Sequence, residues 1–594
     1  MEANFDNDKP KIDYIWLLNC GLITVVAAFL RFFALALKPF HHDEGVNGFF
    51  LTTLFRDGIY KYDPQNYHGP TLYYISLAFS KVFGLETVSV RASVAVFGVL
   101  TVILIFFLQR YIGKIGSLFA ALCVALSPGM VFISRYFIHE IFFVFLSLAI
   151  VIAVLFFIEK RKAGPFAVGW MVLLLLVCFL PSALILAGYL GDKNATAVLA
   201  FRAAFFIVEA VLVFFVMRML LAWNDGRPIY LLLASASVAL MFATKETAFI
   251  TLGTMLIACG SLWIWQKIYR RDSTESESDE LSSSTVTWLS FREALGDNTN
   301  LLLIATAVAT VFLYVFVLFF SSFFTSSEGI QKSIDAYTIW TKTGTKDHTQ
   351  NGMWAYVKWG MAIEGPILIL SVIGTLIAFI KSRHHVAMFI GLWAVGLFAA
   401  YTLIPYKTPW LALSFLLPMC IIGGYGINEL ARSKHAAAKI AAGLLAVSAG
   451  AVLAYQSYEL NFVSYDSDQR PYIYAHTTRG FLDLIAKIEH YAVKSGKGKD
   501  IAVDIISPDY WPMVWYTREY PKAVFHGKFE DDDTAEMIVA KKGDQDREVI
   551  ARFSAKYRFA GVYALRPGVE LVLLVRNDLA DSDAKELYKL RNPN

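Results

Sequence analysis

Runs of about 17–25 apolar residues, the length that crosses a bilayer as a helix, recur along most of this chain. They lie near 15–37, 87–109, 116–133, 138–158, 166–190, 198–222, 228–243, 247–266, 300–320, 361–380, 386–404, 409–430 and 438–456. A water-soluble domain cannot bury so many, because single cores stop growing beyond ~250–300 residues. With 57% hydrophobic and 17% charged side chains over 594 residues, the chain reads as a polytopic α-helical membrane protein of about thirteen transmembrane helices.

The first run is longer than a signal-peptide apolar region and reads as an uncleaved helix, although Ala34-Leu35-Ala36 mimics a cleavage site. Cys20, Cys123, Cys178, Cys259 and Cys420 all fall inside apolar runs without metal or redox spacing, so they are packing residues. The net charge of +4 comes from Lys and Arg set between the runs, which leaves no basic face for nucleic acid. Their bias puts the N-terminus on the cytoplasmic side of the cell membrane. An odd number of spans then brings 41–44, 134–140, 245–246, 406–407 and the C-terminal region together on the outer side.

Residues 1–456 form the membrane domain, with an outer first loop at 38–86, an acidic, Ser-rich inner linker at 272–299 expected to be disordered, and an outer loop at 321–356. Residues 457–594 are less apolar and alternate helix and strand: helix 480–493, strand 501–506, helix 546–556 and strand 569–575. This predicts a small, soluble, extracytoplasmic α/β domain. It carries no GxGxxG or Walker A pattern.

Five polar clusters interrupt the apolar pattern. His41-His42-Asp43-Glu44 follows the first span, where acids are costly unless they face water, a partner or a substrate. A carboxylate there can take a proton from a hydroxyl or hold a divalent cation, and neighbouring residues of a helix diverge, so one of Asp43 and Glu44 points at the chemistry. Tyr67-His68-Gly69-Pro70 precedes an aromatic segment suited to the membrane interface, and an aromatic belt does not account for His68. In Ser134-Arg135-Tyr136-Phe137-Ile138-His139-Glu140, Arg135 either binds a phosphate or snorkels, while His139 or Glu140 can hold a hydroxyl or a metal.

Lys245-Glu246 and Tyr406-Lys407-Thr408-Pro409-Trp410 place lysines on the outer side, suited to an anionic headgroup, or, for Lys245 and Glu246, to a plain ion pair. Tyr510-Trp511-Pro512-Met513-Val514-Trp515-Tyr516 either stacks on sugar rings or docks the domain on the membrane. Asp43, Glu44 and Glu140 are the candidates for a divalent ion, without the spacing of a known site.

Arg31, Asp43-Glu44, the segment from Tyr67 to Tyr74, Arg91 and Ser134-Arg135 together resemble the GT-C superfamily of membrane glycosyltransferases, of the protein O-mannosyltransferase and aminoarabinose-transferase type. Lys245-Glu246, the 406–410 segment, Tyr474-Ala475-His476-Thr477 and the Trp511–Trp515 segment resemble, more narrowly, the prokaryotic flippase activity-associated membrane proteins. The resemblance implies the GT-C fold, an outward cavity, a polyprenyl-phosphate-linked sugar as donor and inverting transfer to an acceptor hydroxyl. It puts the base or acceptor-binding carboxylate on Asp43 with Glu44 beside it, and a second acid on Glu140.

The donor phosphate would fall to Arg135, Lys245 and Lys407. His42, Tyr67, His68, His139, Glu246, Tyr406, Trp410, Trp511 and Trp515 would line the cavity. No cofactor is required and a divalent cation is compatible. The Trp-Trp-Asp motif of oligosaccharyltransferases is missing, so transfer to asparagine is not expected. Movement of a lipid-linked sugar across the membrane without bond formation fits the same residues. The lipid-linked sugar and membrane lipids are the expected partners, and the acceptor, whether lipid, glycan or protein, stays open.

Overall fold

The computed structural model describes residues 13–66, 68–192, 194–268, 286–345, 352–530 and 534–590. The first half of the chain runs through α1 (Tyr14–Phe32), α2 (His42–Asp57), α3 (Thr71–Phe83), α4 (Thr87–Phe106), α5 (Gln109–Ile112), α6 (Lys114–Leu126), α7 (Pro128–Ser134), α8 (Glu140–Ile158), α9 (Pro165–Leu190), α10 (Ala195–Ala222), α11 (Pro228–Phe242) and α12 (Ala248–Ile268). It continues through α13 (Trp288–Leu295), α14 (Asn298–Phe320), α15 (Glu328–Gly344), α16 (Ala355–Ile363), α17 (Gly365–Lys381), α18 (His385–Leu403), α19 (Leu413–Ala431) and α20 (Ala436–Tyr458).

Every apolar run of the sequence is helical. Among the described residues 10 helices are long and apolar enough to cross a membrane, or up to 12 if α6 with α7, bent by 58°, and α16 with α17, bent by 106°, each count as one span. The remaining run is α11, with 15 residues. Helices apolar on every side suit either a protein interior or lipid. The bundle uses both: α8 is buried almost throughout, and α10 buries no residue.

Two loop expectations change. Within the 272–299 linker, 286–299 is ordered around α13, whose N-cap Thr287 accepts a hydrogen bond from the Ser290 backbone N–H at 3.1 Å. The acidic stretch up to residue 285 lies outside the described residues. The 321–356 loop is largely helical, because Ile330, Tyr337 and Trp340 give α15 an apolar stripe that packs on the bundle. At the domain boundary the helical path continues past residue 456 to Val463.

The C-terminal domain contains α21 (Gly480–Lys494), β1 (Val503–Ile505), α22 (Met513–Tyr516), β2 (Ala523–Phe525), β3 (Met537–Lys541), α23 (Asp546–Phe553), β4 (Tyr557–Arg566) and β5 (Val569–Arg576). Its sheet has the order β2-β1-β3-β5-β4, with β1 parallel to β2 and β3, and β5 antiparallel to β3 and β4. Alternation along β5 sends Leu571, Leu573 and Val575 to the α21 face and Val572 and Leu574 to the α23 face. One helix covers each face, the expected α/β domain.

The segment around α22 fastens this domain to α2. Trp515 is 1% exposed, stacks on Phe40 at 4.7 Å, and donates its indole N–H to Thr87 Oγ1 at 3.2 Å. Tyr516 Oη accepts the Phe40 backbone N–H at 2.9 Å, and Arg518 donates to the Leu85 carbonyl at 2.8 Å. Glycine is needed at two α2 positions: a Cβ on Gly45 would lie 2.7 Å from Pro512, and one on Gly48 2.6 Å from the Trp515 ring. Trp515 docks the domain on the start of α2, which differs from both sequence expectations, stacking on sugar rings and docking on the membrane.

Candidate active site

The helix that carries the first acids is built by its own residues. His41 is the N-cap of α2, its Nδ1 accepting the Asp43 backbone N–H at 3.1 Å, while Glu44 reaches back to accept the His41 backbone N–H at 3.0 Å. This reciprocal cap closes the first turn. It also separates the two acids.

Glu44 is fully buried and saturated. Its Oε1 accepts from Arg91 Nε at 2.7 Å and the Phe137 backbone N–H at 2.8 Å, and its Oε2 from Arg91 Nη2 at 2.7 Å in addition to His41. Burial alone would raise the Glu44 carboxyl, but the Arg91 guanidinium outweighs it and holds the group below the usual carboxylate range. Arg91 also donates to the carbonyls of Leu35, Lys38 and Pro39. Glu44 therefore tethers α2 to α4 and leaves the cavity to Asp43.

Asp43 lines a cavity of about 310 Å³. Its side chain is 40% exposed, with the neutral His41 ring beside it, Nδ1 at 3.7 Å. The cavity walls come from distant parts of the chain: His42, Asp43 and Asn47 of α2, Gln65 and His68 of the first loop, Glu140, the Lys245-Glu246-Thr247 break between α11 and α12, Trp340 of α15, Tyr401 of α18, and Tyr406 and Trp410. Asp43, His42, His68, Glu140, Lys245, Glu246, Tyr406 and Trp410 thus meet as the sequence suggested.

The other acids of the cavity have partners. Glu140 is ion-paired with Lys245, both nearly buried, and Glu246 Oε2 lies 3.4 Å from His68 Nδ1. Thr247 and Tyr401 also line the cavity, with their buried hydroxyls within reach of each other. Sequence reasoning passed over both, together with Gln65 and Trp340. Thr247 adjoins Lys245-Glu246, the one signal that pointed to it.

Two predicted phosphate ligands lie elsewhere. Arg135 donates to the carbonyls of Leu30, Arg31, Phe33 and Ala34 at the end of α1 and stacks over Phe462 at 4.8 Å. Lys407 donates to the carbonyls of Tyr401, Thr402 and Ile404 at the end of α18. Both satisfy carbonyls that a helix C-terminus leaves orphaned.

His139 is fully buried, its Nε2 3.1 Å from the Gly69 carbonyl, and supports the His68 ring at 4.9 Å from behind. Trp511 sits outside the lining, 6.1 Å from the His42 ring. Tyr67 lies outside the described residues. Among those described, no three His, Cys, Asp or Glu residues are grouped to hold a metal ion. Asp43, Glu44 and Glu140 do not converge, since Glu44 is turned away to Arg91.

The His68 loop is locked to the α11–α12 break. Gly69 N–H donates to the Thr244 carbonyl at 3.2 Å, and Thr71 donates to the Ala243 carbonyl from Oγ1 at 2.8 Å and from its backbone at 3.1 Å. A Cβ on Gly69 would overlap the Ala243 carbonyl. Gly69→Ala is expected to cost about 1–3 kcal/mol and to separate His68 from Glu246. Thermal unfolding in detergent reads the first effect, and activity relative to folded protein the second.

Behind Trp410, a histidine pair joins the linker to the C-terminal domain with the start of α2. His41 Nε2 and His476 Nδ1 both lie about 3 Å from the Tyr474 carbonyl, at 2.9 and 3.0 Å, and the rings are 4.6 Å apart. His476 Nε2 is buried without a partner near the Lys38 ammonium, which rests over Phe132 and Tyr136. Burial holds both imidazoles below their usual range; Asp43 partly offsets this at His41, and His41 and Lys38 add to it at His476.

The unfolded chain takes up these protons near pH 6.5, while the folded chain resists. Stability is thus fully present above about pH 6.5 and falls with pH below it. Melting temperatures at pH 7.5 and 5 should show the loss, and His476→Asn should diminish it. A flat profile would contradict the neutral pair.

Comparison with known proteins adds the following. Residues 64–187 match the family model "Dolichyl-phosphate-mannose-protein mannosyltransferase". Among solved structures, ArnT from Cupriavidus metallidurans in the apo state superposes with a TM-score of 0.53 at 11% identity, covering 96% of this chain and 99% of that one. ArnT bound to undecaprenyl phosphate gives 0.56 at 11% identity, covering 96% and 100%. The oligosaccharyltransferase of Archaeoglobus fulgidus in the apo form gives 0.48 at 12% identity, covering 97% and 77%. No curated protein matches the sequence. The chain therefore has the ArnT-like GT-C fold over almost its whole length.

Proposed function

We propose that this GT-C-fold protein is a membrane glycosyltransferase that moves a sugar from a polyprenyl-phosphate-linked donor to an acceptor hydroxyl. The observation that carries this reading is a cavity holding one unpaired carboxylate, Asp43, together with the cation Lys245. A base and a cation for the phosphate facing one space are what such a transfer requires. The orientation set by the basic loops puts this cavity on the outer face, where a lipid-linked donor needs no soluble nucleotide sugar.

In the proposed reaction the acceptor hydroxyl oxygen attacks the anomeric carbon from the side opposite the phosphate. The bond from that carbon to the phosphate oxygen breaks, its electron pair leaves with polyprenyl phosphate, and the configuration inverts. Asp43 takes the hydroxyl proton. Lys245, shared with Glu140, stabilises the leaving phosphate. His68 and Glu246 remain for the sugar hydroxyls. No step is assigned to a metal ion.

The test uses purified protein in vesicles with a polyprenyl-phosphate sugar labelled in the sugar. Release of polyprenyl phosphate together with a glycosylated product supports transfer. Movement of the intact lipid-linked sugar between leaflets without turnover would replace this reading by translocation.

A further inference from the structure

We infer that the acceptor is a carbohydrate chain that reaches Asp43 along a row of aromatic rings on the C-terminal domain; this rests on the transferase reading above. The row begins at Phe525, passes to Tyr510 at 5.2 Å between ring centroids, then to Trp511 at 5.4 Å, and from Trp511 to His42 at 6.1 Å. The next residue is Asp43. All four rings are half-buried, so each keeps an open part.

The loop carrying Trp511 has two parts with different surroundings. Trp515 is enclosed and spends its indole N–H on Thr87. Among the described residues the Trp511 N–H and the Tyr510 hydroxyl have no hydrogen-bond partner. Docking encloses Trp515, whereas Trp511, beside Gly45 and 6.4 Å from the Phe49 ring, touches α2 and still stays half-buried. A half-buried indole with an unspent N–H suits a sugar ring, whose C–H face stacks while its hydroxyls accept hydrogen bonds.

The position in the fold supports the same ligand. Strands β2, β1 and β3 are the parallel part of the sheet, and the crevice beyond the carboxyl ends of parallel strands is where open α/β sheets bind ligands. Phe525 ends β2, Tyr510 and Trp511 follow β1, and Lys541 ends β3. There Asp509 is held by Lys541 at 3.1 Å and by Arg566, and together they offer half-buried donors and acceptors beside the rings. The fields of Asp509 and Arg566 extend to His42, which joins this crevice to the cavity mouth. Trp515 and Tyr516, fixed to Thr87 and Phe40, hold the crevice against α2.

The test uses the full chain in nanodiscs and reducing-end-labelled tetrasaccharides of neutral sugars. Calorimetric titration without donor is expected to show binding of at least one tetrasaccharide, weakened about tenfold in Trp511→Ala and restored within about threefold by Trp511→Phe. With labelled donor present, the KM for that tetrasaccharide should rise by the same factor, more than kcat falls. No tetrasaccharide binding, or equal affinity in Trp511→Ala, overturns the inference. So does transfer to an unglycosylated Ser/Thr peptide with tetrasaccharides inert. Binding that depends on Trp511 without transfer to any acceptor leaves the row in place and overturns the transferase reading instead.

Discussion

Asp43→Asn is expected to lower the transfer rate by about 10²–10⁴-fold, the usual contribution of a positioned general base. The substitution preserves size and leaves the α2 cap intact, because His41 accepts the Asp43 backbone N–H and makes no hydrogen bond to its side chain. The loss should therefore appear in kcat with no change in melting temperature. The prediction is specific to Asp43 because the other cavity acids are engaged: Glu140 by Lys245 and Glu246 by His68. Glu246→Gln should cost less and mainly raise KM. A normal rate in Asp43→Asn would remove it from the chemistry.

The second large effect concerns stability. Arg91→Ala would leave Glu44 fully buried with only the backbone N–H groups of His41 and Phe137, and it would orphan the carbonyls of Leu35, Lys38 and Pro39. Removing one partner of a buried pair costs about 3–5 kcal/mol. Arg91→Lys should not rescue it, since one ammonium cannot reproduce the bidentate fork and the three carbonyl contacts. The double variant Glu44→Gln/Arg91→Ala should be more stable than Arg91→Ala, because no charge is then left unpaired. Thermal unfolding in detergent measures all four proteins. A melting temperature unchanged in Arg91→Ala would show that the pair does not hold the start of α2.

The apolar runs made the membrane domain legible, because every long hydrophobic stretch has to be helical in lipid. The C-terminal sheet was half legible. β5 carries the continuous apolar run Leu571–Val575, whereas β2 has 3 residues and β4 is irregular in register on either side of Gly561, which hides its alternation. At the site, sequence placed Asp43, Lys245 and Glu246 together but could not divide Asp43 from Glu44. Their difference lies in a helical turn and in Arg91, 47 residues away.

The cations show the same limit. Arg135, Lys245 and Lys407 all stand beside helix ends, and only the backbone carbonyls decide which are already satisfied. Tyr401 carried no signal, since hydroxyl residues are common in membrane helices, and Thr247 was marked only by its place beside Lys245-Glu246.

The central claim is that the Asp43 cavity makes a glycosidic bond from a lipid-linked sugar, and mass balance tests it most directly. Purified protein, labelled polyprenyl-phosphate sugar and acceptor should give polyprenyl phosphate and new glycoside in equal amounts, and Asp43→Asn should give neither while still binding donor. Donor consumed without glycoside, or equal product from Asp43→Asn, would contradict the account.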